Sequence, residues 1–421
     1  MGTAPCRLFT VLVFSVPSAA KPVMSSMEMH AFSNDLQPLV DNPSPEMNAA
    51  NVVRVKQYQA QQFLCFMFSV QSWHTISFSS LSQERVDTVY GKVKVSIYGD
   101  RTKHPMITFH DLGLDSESNF QNFFQFVSIA EFTEKFCVYN INAPGQEVDA
   151  QTFPDSYDYP SMDGLAKIVE TVVNHFDLQS VIAFGVGVGA NVLLRYAVRD
   201  SFENLALELL NQRRLDALIL VNCVANAAGW IEWAYQKMNI RYLRGTGMNT
   251  FTVDYLMWHH FGRRLGECSP DIVRQYRVYF QHLSNPKNLA MFIESYMNRT
   301  AIPISRDGQS GSVLNVPVLQ IVGAGSPFVN DTVDVNTKLD PSRSDWIKAN
   351  LNVSDACGLV LDDRPEIVTE SVILFLQGLG FCRFFRLEFY VPTMNVMKLM
   401  KKIQDTQNGS CFAVSDSVDE C

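Results

Sequence analysis

Short apolar runs alternate with longer stretches of helical spacing from about Val86 onward, and this alternation predicts the architecture. Val93, Val95 and Ile97 alternate with Lys92, Lys94 and Ser96 after Tyr90-Gly91, the two-residue period of a half-exposed strand or hairpin arm. Met106 to Phe109 reads as a short buried strand ending at His110-Asp111. A Phe-rich stretch from Phe120 to Phe132 has helical spacing, and Phe136 to Ile141 reads as the next strand. From Met162 to Phe176, residues Leu165, Ile168, Val169, Val172, Val173 and Phe176 share one helical face, with Ser161 and Asp163 placed to cap its start. Val181 to Phe184 is a strand that feeds a helix over about 190–198, and Leu218 to Val221 is another. Residues 224–305 lose the strand pattern and read as helices rich in Trp, Tyr and Met. Val316 to Val322 returns to strand, Cys357 to Leu361 is expected to be the last strand, and Pro365 to Leu376 the last helix. Apolar strands alternating with helices imply a mostly parallel sheet covered on both faces. The late helical block, about 224–305, is expected to cap the strand ends.

The most informative motif is Gly185-Val186-Gly187-Val188-Gly189, between a strand and a helix. Small residues at alternate positions there form the pattern of a nucleophile elbow, G-x-S-x-G, whose central side chain is lifted above the sheet. The centre here is Gly187, which has no side chain to attack a carbonyl. A dinucleotide loop is the other reading of these glycines. It is disfavoured because Ala190 stands at the last glycine position, the strand lies deep in the chain, and no acidic residue follows at a fitting distance. The acid of a hydrolase triad would follow the strand Ile321-Val322-Gly323, where Ala324 stands. The histidine would precede the last helix, and the spacing back from Pro365 points to Gly358. No histidine follows His282. With all three positions vacant, triad hydrolysis is not expected, since losing triad members costs on the order of 10⁴ to 10⁶ in rate.

Other groups could line a pocket at the strand ends: His110, Asp111, Gly187, Val188, Cys223, Trp230 and Trp233. His110-Asp111 sits where hydrolases place an oxyanion-hole segment, and its simpler reading is a hydrogen-bonded pair that fixes the loop. Asp111 could instead serve as a general base. Cys223 reads as a small buried hydrophobe rather than a thiol nucleophile. His259-His260 is a weak metal signal, because adjacent helical residues diverge by about 100°. The aromatic residues Trp230, Trp233, Tyr235, Tyr255, Trp258 and Phe261 either line a pocket under the cap or pack the cap on the body. No metal and no cofactor is expected.

Composition bounds the function further. The chain has 421 residues, 47% hydrophobic and 18% charged, and a formal net charge of −9, which speaks against a nucleic-acid partner. Nine scattered cysteines form no C-x-x-C pair, so reduced thiols in a cytosolic protein are the simpler reading. The alternative is secretion, since Arg7, the apolar run Leu8 to Val16 and Ser18-Ala19-Ala20 resemble a short signal peptide. Sequons at Asn298, Asn330, Asn352 and Asn408 would then matter. No uninterrupted apolar segment is long enough to span a membrane. Residues 394–403, with Lys398, Lys401 and Lys402, read as a short solvated helix, or alternatively as a basic face for peripheral membrane or partner contact. Ser410, Ser415 and Ser417 are candidates for phosphorylation.

An ordered series of segments resembles the N-myc downstream-regulated (NDRG) family: "YGKVKVSIYGD", "ITFHDLGLD", "YNINAPGQE", "FPDSYDYPSMDGLA", "VIAFGVGVGANVLLRYA", "LILVNCVANAAGWIEWAYQKM", "TKLDPSRSDW" and "FLQGLGF". The resemblance runs from about Gln83 to Phe381. It implies an α/β-hydrolase-like fold, with a mostly parallel central sheet flanked by helices and a helical cap inserted late. It also implies a cytoplasmic, non-enzymatic protein that works through protein partners in signal transduction, differentiation or stress response. A receptor for a small apolar ligand or lipid under the cap, or an enzyme with non-triad chemistry, is the alternative. The expected domains are an N-terminal extension over 1–82, the hydrolase-like domain over 83–381 and a tail over 382–421. Residues 201–214 read as an insertion relative to the family, and the tail lacks the Ser/Arg-rich repeats of some members.

Overall fold

The structure is a computed structural model that describes residues 81–127, 132–203, 214–262, 265–351, 354–355 and 357–381. Residues 1–80 of the N-terminal extension, the tail after Phe381 and most of the 201–214 insertion lie outside these residues.

Among the described residues nine strands form one sheet: β1 (Leu81–Thr88), β2 (Gly91–Tyr98), β3 (His104–Phe109), β4 (Phe136–Ile141), β5 (Val181–Val186), β6 (Leu215–Val221), β7 (Val318–Gly323), β8 (Ser344–Leu351) and β9 (Ser354–Asp355). Their order is β1-β2-β4-β3-β5-β6-β7-β8-β9. β1, β2 and β4 pair antiparallel, and β4 through β8 are parallel. The helices are α1 (Gln121–Phe126), α2 (Met162–His175), α3 (Val188–Glu203), α4 (Trp230–Gly245), α5 (Thr250–Phe261), α6 (Pro270–Gln281), α7 (Pro286–Met297), α8 (Val329–Thr337), α9 (Val360–Asp363) and α10 (Pro365–Gly378).

The parallel strands are apolar along their whole length because both faces are covered. Met106, Ile182, Ala217, Ile219 and Leu319 share one face with Phe120, Phe123 and Phe124 and with Val368, Val372 and Leu376 of α10. The intervening residues face α2 and α3. The Ser161 side chain accepts from Gly164 N, so α2 starts where its cap residue predicts. Helices α4 to α7 occupy the connection between β6 and β7. Asn288 on α7 stitches this cap to the body, donating to the Gly145 and Gln151 carbonyls and accepting from Phe153 N.

One expected strand is absent. Cys357 to Leu361 forms a loop that enters α9, and the strand beyond β7 is β8. The apolar run is buried because it passes beneath the cap rather than because it joins the sheet: the Gly358 N–H points to the Phe261 carbonyl of α5.

α9 carries Asp362, fully enclosed, whose Oδ1 accepts from Tyr276 Oη of α6 at 2.8 Å and from the Asn122 amide of α1. Burial pushes this carboxyl up to about 7 against the pull of those two hydrogen bonds, and neighbouring Asp363 adds to the rise. A folded-state pKa above the unfolded one stabilises below the unfolded value, near 3.8, and that stability is lost as pH rises through about 7. Asp362→Asn removes the titration. Chemical denaturation of both proteins should show the variant gaining on the parent by roughly 2–3 kcal/mol between pH 5 and pH 8. A constant difference across that range would contradict the assignment.

Candidate functional site

The site lies at the carboxyl ends of β3, β5, β6 and β7, where the sequence places its elbow. β5 turns into α3 at Gly187, whose φ of 53° lies in the left-handed region. The flanking glycines are required by close packing. A β-carbon on Gly189 would fall 2.0 Å from the Phe109 carbonyl oxygen, and one on Gly185 would fall 2.7 Å from backbone of Gly189 and Ala190. The geometry of a nucleophile elbow is therefore intact.

The space above the elbow is filled. A β-carbon on Gly187 would fall 2.1 Å from both Cγ and Oδ2 of Asp111. Asp111 Oδ1 accepts from Leu112 N at 2.8 Å and Val188 N at 2.9 Å. One of these N–H groups follows the elbow residue and the other lies in the loop after β3, the two sources from which hydrolases build an oxyanion hole. An internal carboxylate thus occupies both the nucleophile position and the oxyanion hole. His259 Nε2 lies 3.0 Å from each carboxylate oxygen, and the Asn119 side chain accepts from Asp111 N at 2.7 Å. Burial alone would raise the Asp111 pKa. The charge and hydrogen bond of His259, the charge of His260 and the Val188 N–H outweigh it and hold the carboxyl at about 2.

His110 spends both ring nitrogens locally. Nδ1 donates to the Asp111 carbonyl at 2.8 Å, and Nε2 accepts from Ala143 N at 2.9 Å, joining the ends of β3 and β4. The ring is neutral in this arrangement, and burial lowers its pKa. His260 Nε2 lies 2.8 Å from the Leu112 carbonyl, the ring stacks on Phe280, and burial lowers its pKa to about 4.

Backbone of α5 also packs closely on Gly358 and on the turn that holds Ala324. A β-carbon on Gly358 would fall 2.4 Å from the His260 carbonyl oxygen. Gly262, at the end of α5 with φ of 79°, packs so tightly on the turn holding Ala324 that a β-carbon there would fall 2.0 Å from the Gly325 carbonyl. The last turn of α5 therefore sits where a catalytic histidine and its acid would meet. Asn222, just past β6, donates to the Gly358 carbonyl at 2.6 Å and closes the same corner.

Of the candidate pocket residues, the structure brings His110, Asp111, Gly187 and Val188 together. Cys223 is fully buried past the end of β6, and burial pushes its thiol far above the ordinary range, so it is not a thiolate at neutral pH. Trp230 and Trp233 stand apart: they are 79% and 46% exposed on α4 and do not wall an enclosed space. An open groove of about 370 Å³ lies between α4 and α5 against Met238, Tyr242 and Phe251. A smaller recess of about 40 Å³ lies near Gly113, Gln146 and Tyr279. Neither is lined by Asp111, Gly187, Val188 or Cys223.

Comparison with known proteins shows the family and the fold. The family model described as the Ndr family matches residues 83–383. Protein NDRG3 of Xenopus laevis is 33% identical over 323 residues, covering 75% of this chain and 78% of that protein. Protein NDRG2 of Mus musculus is 32% identical over 298 residues, covering 70% and 74%. Among solved structures, a thermophilic esterase from Thermogutta terrifontis superposes with a TM-score of 0.55 at 17% identity, covering 71% of this chain and 99% of that one. An enol-lactonase from Burkholderia xenovorans LB400 gives 0.53 at 16% identity, covering 70% and 100%. These two likenesses establish the α/β-hydrolase fold and nothing about activity.

Proposed function

Since the chain belongs to the Ndr family, we propose that it is a non-enzymatic signalling or adaptor protein, a hydrolase scaffold that works through protein partners. The observation that carries this reading is the Asp111 carboxylate, seated on the Leu112 and Val188 N–H groups where a reacting carbonyl oxygen would have to bind. A substrate would have to displace a buried, hydrogen-bonded anion and would then meet no nucleophile at Gly187. An enzyme using His110 or Cys223 instead is disfavoured, because the imidazole has both nitrogens engaged and the thiol stays protonated. A receptor for an apolar ligand above the elbow is disfavoured as well, since Asp111, His259 and the end of α5 take up that space.

The family resemblance favours action in the cytoplasm, in signal transduction, differentiation or stress response. Among the described residues no helix is long and apolar enough to cross a membrane. The expected result with p-nitrophenyl esters of several chain lengths is hydrolysis no faster than with heat-unfolded protein. A saturable rate that disappears on unfolding would overturn the reading.

A further inference from the structure

The groups around Asp111 are arranged for more than hydrogen bonding to one another. His260 Nε2 lies 2.8 Å from the Leu112 carbonyl oxygen, which can only accept, so this nitrogen carries the ring proton. In the neutral ring Nδ1 then presents a lone pair, and Nδ1 faces Asp111 Oδ2 across 3.8 Å. Two acceptors point at each other inside the protein over a gap too wide for a hydrogen bond. Oδ2 is also 3.0 Å from His259 Nε2. Ligand atoms from all three residues lie within 4.8 Å of one another, and all three residues are buried.

We propose that Asp111 Oδ2, His259 Nε2 and His260 Nδ1 bind one divalent transition-metal cation of the zinc class, which locks the last turn of α5 to the β3 loop. One carboxylate with two imidazoles suits zinc, cobalt or nickel, whereas calcium and magnesium take oxygen shells. Metal–ligand bonds of about 2.0–2.2 Å at tetrahedral angles place ligand atoms about 3.3–3.5 Å apart. The separations of 3.0 and 3.8 Å from Oδ2 bracket that spacing, and all three ligand atoms lie within 4.8 Å of one another, so the side chains close around the ion as it binds. The outer partners of two of the three ligands favour such an ion, while His259 Nδ1 is buried without a hydrogen-bond partner among the described residues. The Leu112 carbonyl orients the His260 ring, and the Leu112 and Val188 N–H groups hold Oδ1 and leave Oδ2 for the metal. Water or another small ligand completes the fourth position. Consecutive helical histidines usually diverge, but here Asp111 lies beneath the end of α5 and both rings reach it, with centroids 5.0 Å apart.

The test uses the full chain, stripped with chelator and titrated with Co²⁺ or Zn²⁺. The expected result is one tightly bound equivalent, with visible d–d absorption of a nitrogen/oxygen cobalt site, no thiolate charge-transfer band, and a thermal midpoint that rises with metal concentration. X-ray absorption at the zinc edge should report two imidazoles and no sulfur, and it requires no variant. His260→Leu, which keeps an apolar contact with Phe280, is expected to weaken binding roughly tenfold or more. No stoichiometric binding, a sulfur-containing shell, or unchanged affinity in both His259→Leu and His260→Leu would overturn the site. Metal is read here without any activity assay, so either outcome leaves the non-catalytic reading to its own test.

Discussion

Gly187→Ser, which restores the elbow serine on paper, is expected to yield a less stable protein and no esterase. The new β-carbon would meet the Asp111 carboxylate at 2.1 Å, and the residue would have to hold a φ of 53° that costs a side-chain-bearing residue about 1–2 kcal/mol. Moving the carboxylate aside strands the Leu112 and Val188 N–H groups and the His259 contact. The sum is a loss of roughly 3–5 kcal/mol, or on the order of 10 °C in thermal midpoint for a domain of this size. Adding Ala324→Asp and Gly358→His should worsen matters, because a β-carbon at 358 lies 2.4 Å from the His260 carbonyl. Calorimetry with an ester assay on the same samples checks this. A single variant that folds normally and hydrolyses ester would show that Asp111 yields far more readily than its hydrogen bonds imply.

Asp111→Ala is expected to be the most damaging substitution in the site. It leaves two buried backbone N–H groups and an imidazole without their acceptor, each unsatisfied group costing about 1–3 kcal/mol. A total near 4 kcal/mol is expected by urea denaturation, typical of removing one partner from a buried charged pair. The companion cycle with His259→Ala should show a coupling of at least about 2 kcal/mol, since the two side chains act as one unit. Additive losses would mean that the Asp111–His259 contact contributes little and that the backbone N–H groups carry the effect. Because the Asp111 carboxyl is depressed to about 2, its contribution is present above the unfolded value near 3.8 and is lost only as pH falls through about 2. The carboxyl's own titration therefore adds no pH dependence to the Asp111→Ala deficit between pH 5 and 8, unlike the Asp362→Asn difference.

The parallel strands were legible in the amino-acid sequence because strands buried on both faces are apolar along their length. Val181–Val186 and Val318–Gly323 are of this kind, and the glycine pattern at 185–189 marked the elbow. β8 escaped because Ser344, Asp345 and Lys348 interrupt its apolar pattern near the sheet edge. The run at 357–361 misled for the opposite reason: burial under α5 demands apolar residues as strongly as a sheet does. In the site, Gly187, Ala324 and Gly358 are read straight from the sequence, whereas the side chains packed against them are not. Asp111 and His259 are 148 residues apart, and nothing local to either announces the other. The pairing arises only when the cap folds back over the strand ends, and the tightness of Gly262 on Gly325 has no signature beyond two glycines among many.

The seating of α5 on the glycine positions has a historical consequence. In an enzyme of this architecture a single reversion can revive a lost nucleophile, because the empty crevice still waits for it. Here a serine at 187 or a histidine at 358, introduced alone, collides with the Asp111 carboxylate or the His260 carbonyl. A path from this state to an esterase would have to cross several unstable intermediates together, so the packing itself works as a ratchet against it.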